Sequence, residues 1–122
     1  MIFAMMAGMA TSRCNPVAQI EERDLSAEAN LFKAFGDPHR LTIIATLAAS
    51  AHAVCVCDLT EGLPIGQSSV SHHLAILRDA GIVTSERRGT WAYYSLVPGL
   101  RTRLGAAVDV VAPKRRRLEK AS

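Results

Sequence analysis

The chain has 122 residues, enough for one domain, because single domains most often contain about 100 to 150 residues. Hydrophobic residues make up 49% of the chain and charged residues 20%, which excludes a disordered protein and allows an ordinary, mainly aliphatic core. The formal net charge is +3 and the pI is near 9.0, with basic clusters at residues 87–88 and 114–117. Such clusters favour an anionic partner such as nucleic acid, although a solvated surface also carries them.

The N-terminal stretch is apolar, but we expect no signal peptide and no membrane segment in it. No basic residues precede the first ten residues, and Arg13 interrupts the stretch before the roughly 20 apolar residues that a membrane span requires. We expect residues 1–16 to form an N-terminal arm, and Met5, Met6 and Met9 leave the start codon open. The three cysteines are an odd number, which favours free thiols in a reducing cytoplasm over a secreted disulfide framework.

Two helices are predicted at the start of the folded region. Ser26 is a candidate N-cap for a helix over residues 27–35, which ends at the following glycine. Asp37 followed by Pro38 marks a second helix start, because proline fits the first helical position. This second helix is expected to reach about Ser50. Its predicted buried stripe has helical spacing and consists of Leu41, Ile44, Ala45 and Ala48.

A short helix, a tight turn and a longer helix follow. The short helix is predicted to begin at Val54 and to be closed by Gly62 and Pro64. The longer helix is predicted over residues 66–79, and Gly81 lies where a left-handed residue commonly closes a helix. Its predicted buried stripe is Val70, Leu74 and Leu77. Two helices joined in this way indicate a helix-turn-helix.

The spacing of hydrophobic positions then changes from 3.6 to 2 residues, which predicts a β-hairpin. Its strands are expected at residues 82–86 and 91–96, with residues 87–90 as the connection. A last helix is predicted over residues 100–111, with Leu104, Val108 and Val111 on one side, followed by a flexible basic tail over residues 113–122. The predicted fold class is mainly α with a small β-hairpin, a winged helix-turn-helix in one domain whose core spans residues 25–100.

The longer helix has the side chains that DNA recognition requires. A helix in the major groove presents short polar groups outward, so that its backbone approaches the bases, and an apolar face inward. A solvent-facing amphipathic helix has a similar pattern, but the following hairpin with two arginines favours DNA binding. The arginines would reach phosphates or the adjacent minor groove. The predicted DNA-binding residues are Gln67, Ser68, Ser69, Ser71, His72, Arg87 and Arg88.

The chain resembles the ArsR/SmtB family of metal-responsive repressors. The resemblance is carried by four segments in a fixed order, DPHRLTIIATL, CVCDL, QSSVSHHLAILRDAGIV and RRGTWAYYSL, and covers roughly residues 25–100. It implies a cytoplasmic homodimer that binds an inverted-repeat operator in double-stranded DNA and is released by metal binding. A dimer is also favoured on physical grounds, because two related helix-turn-helix units bind two half-sites. The outer helices, expected around residues 17–25 and 100–111, offer the apolar faces for it.

Cys55 and Cys57 place two soft ligands at the start of a predicted helix, where the helix dipole favours thiolates. A single free cysteine is more often a small buried hydrophobe, but the pair indicates a site for Cd(II), Pb(II), Zn(II) or a trivalent metalloid. Residues i and i+2 of a regular helix point about 200° apart. Both sulfurs therefore reach one ion only if the first turn is distorted or the helix begins after Cys55.

The segment CVCDL is identical to that of the family's arsenic-responsive branch. The branch often has a further cysteine after the leucine, where this chain has Thr60, so the resemblance leaves Cys14 as the third thiol. The predicted metal ligands are Cys14, Cys55 and Cys57, and the predicted inducer is As(III) or Sb(III). The zinc site that relatives carry on the last helix is expected to be absent, because residues 100–120 contain no histidine.

Three alternatives remain open at this stage. The first is a repressor that senses Cd(II) or Pb(II), and the second is a repressor that senses oxidation of its cysteines. The third is an architectural DNA-binding protein with inert cysteines. His39 and His52 are expected at the surface, and His72 and His73 in groove contact and packing rather than as ligands. No catalytic triad, paired carboxylates or C-x-x-C motif is present, so we expect neither an enzyme nor an organic cofactor.

Overall fold

The fold is known from a computed structural model that describes residues 22–114. Predictions about Cys14, the arm of residues 1–16 and residues 115–122 of the tail lie outside the described residues. Residues 22–25 are not helical, so the described part of the helix expected around residues 17–25 does not form one.

Helices α1 (Ser26–Phe35) and α2 (Pro38–Ala49) open the described chain. The prediction that Ser26 caps α1 is wrong by one position. Ser26 is the first helical residue, and Leu25 is the N-cap without a side-chain hydrogen bond. Ser26 instead donates its backbone N–H and its hydroxyl to the Asp24 carboxylate, at 3.0 and 2.6 Å. Asp24 therefore satisfies the backbone donor at the start of α1 from outside the helix.

Helix α2 begins as predicted but turns a different face toward the core. Asp37 is its N-cap and accepts a hydrogen bond from the backbone N–H of Arg40 at 3.0 Å. The predicted stripe is wrong except for Ile44, since Leu41 is 48% exposed and both predicted alanines are exposed. The buried residues are Ile43, Ile44 and Leu47. These three side chains pack into the hydrophobic core together with the buried residues of α1.

A two-residue strand, β1 (Val54–Cys55), precedes helix α3 (Val56–Gly62). The prediction of a helix from Val54 is therefore wrong at its first two residues. Those residues pair antiparallel with the wing, Val54 with Tyr94 and Cys55 with Tyr93. Helix α4 (Gln67–Asp79) follows after a tight turn, and its predicted inner stripe of Val70, Leu74 and Leu77 is confirmed as fully buried.

The wing consists of β2 (Val83–Arg88) and β3 (Trp91–Leu96), and the three strands lie in the order β1-β3-β2. The predicted four-residue connection is wrong, because Arg87 and Arg88 lie in β2 and pair with Ala92 and Trp91. Only two residues remain in the turn, and Gly89 there has φ +67°, which glycine adopts without strain.

Helix α5 (Leu100–Val111) has the predicted bounds. A single aliphatic core joins α1, α2, α4 and the start of the wing, and it includes Leu31, Ile43, Leu74, Leu77 and Ile82. Within residues 22–114, no helix has the length and apolar character needed to cross a membrane. The predicted fold class, mainly α with a small β-hairpin, is confirmed.

Candidate nucleic-acid interface and cysteine pair

Helices α3 and α4 and the turn between them form the helix-turn-helix, and α4 presents a polar outer face. Its first turns carry only short or flat polar side chains outward, while the opposite face is fully buried. A helix held in this way is rigid on one side and lets DNA approach closely on the other. The predicted DNA-binding residues on this helix are all exposed: Gln67, Ser68, Ser69, Ser71 and His72.

Arg40, in the first turn of α2, connects α4 to α1 and α2. Its Nε donates to the carbonyl of Ala34 at 2.7 Å and its Nη2 to that of Lys33 at 3.2 Å, both at the end of α1. Its Nη1 lies 3.2 Å from Nδ1 of His73 on α4. One guanidinium therefore joins the end of α1, the start of α2 and the middle of α4. Sequence reasoning missed Arg40, since its position in the first turn of α2 gives no sign of these partners.

His73 is mostly covered, whereas its neighbour His72 is exposed, which agrees with the prediction of packing and groove roles for this pair. The centre of the His73 ring lies 5.8 Å from the centre of the His39 ring, and its Nε2 lies 3.9 Å from Oδ2 of Asp37. Burial lowers the pKa of His73 below its ordinary value, and the Arg40 charge acts in the same direction against the opposing Asp37. A neutral ring accepts the hydrogen bond from Arg40, so His73 anchors α4.

The two wing arginines have different surroundings. Arg88 Nη2 lies 3.2 Å from the Glu86 carboxylate, and its guanidinium stacks 4.5 Å from the centre of the Tyr93 ring. Arg87 donates to the carbonyl of Thr90 at 3.3 Å. Because side chains alternate along a strand, the two arginines lie on opposite faces of the wing. The structure therefore does not bring both of them to one surface.

Cys55 and Cys57 meet because the helix begins between them. Cys55 is the N-cap of α3 in an extended conformation, and its sulfur accepts the Cys57 N–H at 3.3 Å. The two Cα atoms are 5.2 Å apart, and the sulfurs are joined to each other. Cys55 is 5% exposed, whereas Cys57 is exposed. Of the two routes by which both sulfurs could face one ion, the structure has the one in which the helix starts after Cys55.

The described residues supply two of the three predicted ligands. Among residues 22–114, no group of three His, Cys, Asp or Glu side chains is placed to hold an ion. His39 faces the His73 ring rather than the cysteines. Cys14, the third predicted thiol, lies outside the described residues.

Two helices joined by a tight turn and followed by a strand-paired wing define the class of winged helix-turn-helix DNA-binding proteins. Within that class, the chain belongs to the ArsR/SmtB family. The sequence profile described as "Bacterial regulatory protein, arsR family" matches residues 37–85. These are the residues of α2, α3, α4 and the start of the wing.

Three proteins illustrate this membership. An uncharacterized HTH-type transcriptional regulator of Methanocaldococcus jannaschii is 48% identical over 57% of this chain and 76% of its own length. The arsenical resistance operon repressor of Bacillus subtilis is 49% identical over 53% of this chain and 61% of the repressor. The NMR structure of a homodimeric winged helix-turn-helix DNA-binding domain from Mycobacterium bovis has a TM-score of 0.60 and 28% identity, and covers 77% of this chain and 90% of that domain.

These similarities confirm the predicted family, including its resemblance to the arsenic-responsive branch. The family consists of DNA-binding transcriptional regulators, which are not a class of enzymes. The match spans about three fifths of the Bacillus repressor.

Proposed function

We propose that this protein is a metalloid-responsive repressor. It binds an inverted-repeat operator as a homodimer and leaves it when As(III) or Sb(III) binds the thiolates of Cys14, Cys55 and Cys57. The observation that carries the proposal is the start of α3 between Cys55 and Cys57, which lets two thiols face one ion at the first helix of the helix-turn-helix.

The DNA-binding part of the proposal rests on the outer face of α4 and on the wing. Gln67 has the amide that pairs with an adenine edge, the exposed serines bond bases or phosphates, and His72 contacts a base or a phosphate. Arg87 and Arg88 add positive charge beside the groove, where phosphate contacts dominate affinity. Gln67, the three serines and His72 are exposed, and the two wing arginines are exposed with the partners described above.

The homodimer is supported by an apolar face that the described chain leaves in water. On α5, Val108 is 40% and Val111 62% exposed, and Leu25 just before α1 is 38% exposed. A second copy of the chain would cover these side chains and place two copies of α4, the reading helix, on two half-sites. The homodimeric state of the similar Mycobacterium domain supports the same assembly.

The chemistry of the cysteine pair fits a trivalent metalloid. Each thiol sulfur displaces one hydroxyl from arsenous acid, and the thiol proton leaves with that hydroxyl as water, so three thiols release three waters. As(III) then supplies three directed bonds to sulfur in a pyramid. Cys55 and Cys57 provide two of the donors, and Cys14, from the same or the partner subunit, provides the third.

Release of DNA follows from where Cys55 and Cys57 lie. Cys55 ends β1, which pairs with the wing strand β3, and its sulfur also caps the first turn of α3. When Cys55 and Cys57 turn their sulfurs toward a shared ion, the cap weakens and the start of α3 shifts against the wing. DNA affinity falls if the ion prefers this altered conformation, since a ligand shifts an equilibrium by its differential affinity.

The test is the release of a labelled operator duplex, taken from upstream of the gene, by As(III) in single Cys→Ser variants. Serine caps helices well, so Cys55→Ser is expected to keep fold and DNA affinity. Each variant should need more than about tenfold more As(III) for half-release, because even indirect partners of a metal ligand contribute that much affinity. Full release in all three variants at the ordinary As(III) concentration would refute the metalloid site.

The same titration identifies the inducer. Cd(II), Pb(II) and Zn(II) are added in separate arms, and the ion that dissociates the complex at the lowest concentration is the inducer. If Cd(II) or Pb(II) acts at a lower concentration than As(III) and Sb(III), metalloid specificity is wrong while the thiol site stands.

A redox-sensing repressor is the second candidate, favoured by the joined sulfurs of Cys55 and Cys57. In that case hydrogen peroxide oxidises the two thiols to a disulfide and is reduced to water. Peroxide would then lower operator affinity, and both Cys55→Ser and Cys57→Ser would abolish the effect while Cys14→Ser would not. Release by As(III) under reducing conditions, with no response to peroxide, would exclude this candidate.

A further inference from the structure

The C-terminal end of the reading helix α4 is closed by a glycine motif. Gly81 has φ +74°, its N–H donates to the carbonyl of Arg78, and the N–H of Ile82 donates to that of Leu77, both at 2.9 Å. This pattern is a Schellman motif, which satisfies two carbonyls of the last turn. Leu77 and Ile82, both fully buried, fix the motif to the core.

The carbonyls of Ala80 and Gly81, directly after the last residue of α4, accept hydrogen bonds from α5. Arg103 donates from Nη2 to the Ala80 carbonyl at 2.6 Å and from Nη1 to the Gly81 carbonyl at 2.7 Å. The positive guanidinium therefore lies at the negative end of the α4 dipole, where a cation is favoured. The approach is close, because a Cβ atom on Gly81 would lie 3.0 Å from Nη1 of Arg103.

Arg103 lies on the inner face of α5. Leu100, Arg103 and Ala107 are spaced at i, i+3 and i+7 and so share one face, and the leucine and the alanine are buried. The exposed Val108 lies about 140° around the same helix from Arg103, whereas Val111 follows Ala107 by four residues and is exposed at the end of the helix. Helix α5 therefore holds the end of α4 through Arg103 and carries the exposed Val108 on another side.

We propose that Arg103 is a positioning residue for operator binding, which sets the orientation of α4 relative to α5 without touching DNA. The proposal rests on the operator binding and dimerisation proposed above. In a dimer formed through α5, the distance and angle between the two reading helices depend on the link between α5 and α4. Two half-sites accept both reading helices only at one spacing, so loosening this link weakens operator binding.

A direct phosphate contact is the competing role for any exposed arginine. Both terminal nitrogens of Arg103 are already engaged by carbonyls, whereas Arg101 on the same helix is exposed and makes no hydrogen bond or ion pair in the described part of the chain. Arg101 is therefore the matched control for the loss of one positive charge on α5.

The experiment compares Arg103→Lys, Arg103→Gln and Arg101→Gln in the full-length reduced protein. Operator affinity is measured over a range of salt concentrations with the labelled upstream duplex, and dimerisation is measured by analytical ultracentrifugation. Lysine keeps the charge but not the planar pair of donors. We expect Arg103→Lys and Arg103→Gln to lower operator affinity about five- to tenfold, as expected for two lost charged hydrogen bonds at an exposed site. Dimerisation and the slope of affinity against salt should be unchanged in Arg103→Lys.

The outcomes separate the roles. A phosphate contact predicts that Arg103→Lys binds like the unsubstituted protein and that Arg103→Gln lowers the salt slope by about one. Either result overturns the positioning role, as does equal affinity loss in Arg103→Gln and Arg101→Gln. If Arg103→Gln does not fold, Arg103→Lys alone decides. If the unsubstituted protein binds neither the operator nor a second copy, the proposed function itself is wrong. That result differs from one in which the unsubstituted protein binds and substitution of Arg103 leaves the affinity unchanged.

Discussion

At the scale of single residues, the hydrogen bond between Arg40 and His73 connects the reading helix to the rest of the domain. It bridges 33 positions in sequence and joins α2 to the middle of α4, while the same guanidinium holds the end of α1. Only a neutral ring accepts a hydrogen bond at Nδ1. The protonation of one imidazole therefore bears on how firmly α4 is held.

The sign of the resulting pH dependence follows from the lowered pKa of His73. Burial is its largest cause, and Arg40, His39 and His72 add to it while Asp37 opposes it. The folded state favours the neutral ring, so the unfolded chain binds more protons between the folded pKa and the ordinary value near 6.5. Stability contributed by the neutral ring is complete above that ordinary value and is lost as pH falls toward the folded pKa.

We predict that the free energy of unfolding decreases between pH 7 and pH 5.5 and that His73→Asn flattens this decrease. The Asn Oδ1 atom replaces Nδ1 as acceptor, so stability at pH 7 should stay within about 1 kcal/mol of the original. Urea titrations at several pH values measure the effect, with the exposed His52→Asn as control. The carboxylates Asp24 and Asp37, whose pKa values are lowered by hydrogen bonds, act only at more acidic pH. An equally steep decrease in His73→Asn would contradict the prediction.

At the scale of elements, the two arginines of the wing differ in how far a nearby acidic group offsets their positive charge. Glu86 offsets the charge of Arg88, and the Tyr93 ring restrains its guanidinium, whereas within residues 22–114 the recorded partner of Arg87 is a backbone carbonyl. A wing that approaches the phosphate backbone gains more from the uncompensated cation.

We predict that Arg87→Ala lowers the salt slope of operator binding by about one, and that Arg88→Ala lowers it less. Fluorescence anisotropy at several salt concentrations measures both slopes, and Glu86→Gln, which frees the charge of Arg88, should raise affinity slightly. A larger change in Arg88→Ala than in Arg87→Ala would mean that the other face of the wing meets DNA.

The elements also show what local sequence can and cannot predict. The start of α2, the inner stripe of α4 and the bounds of α5 follow from capping residues and spacing, which act over a few residues. The strand β1 could not be predicted, because two residues become a strand only by pairing with Tyr93 and Tyr94. The rotation of α2 about its axis depends likewise on which side chains the other elements offer it.

The candidate site divides in the same way. Exposure of the polar face of α4 follows from its period, and the convergence of Cys55 and Cys57 is one of the two geometries that their spacing allows. The contacts of Arg40 with His73 and of Arg103 with Gly81 span 33 and 22 positions. No local pattern marks them, since each depends on how distant helices pack.

At the scale of the whole molecule, the apolar stripe on α5 is the feature that a monomer leaves unexplained. Val108 and Val111 are exposed and are not part of the described core. Two copies of the chain would bury this stripe and bind two half-sites, so dimerisation and operator affinity should be lost together.

We predict that Val108→Asp yields a monomer and lowers operator affinity more than about tenfold, because burying an unpaired carboxylate costs several kcal/mol. Analytical ultracentrifugation and anisotropy measure the two effects. Thr102→Asp places the same charge on an exposed position of α5 and should change neither. A dimeric Val108→Asp protein would show that another face forms the contact.

The start of α3 between Cys55 and Cys57 has an evolutionary consequence. Cys55 is buried and Val56 packs against the core, but Cys57 and Asp58 are exposed, so substitutions at these last two positions disturb little of the core. The reading face of α4 and the proposed sensing turn share no residue. After a gene duplication, substitutions in this turn would therefore give one copy a new inducer while it still recognises its original operator. Descendants of such a duplication are expected to differ first in this turn.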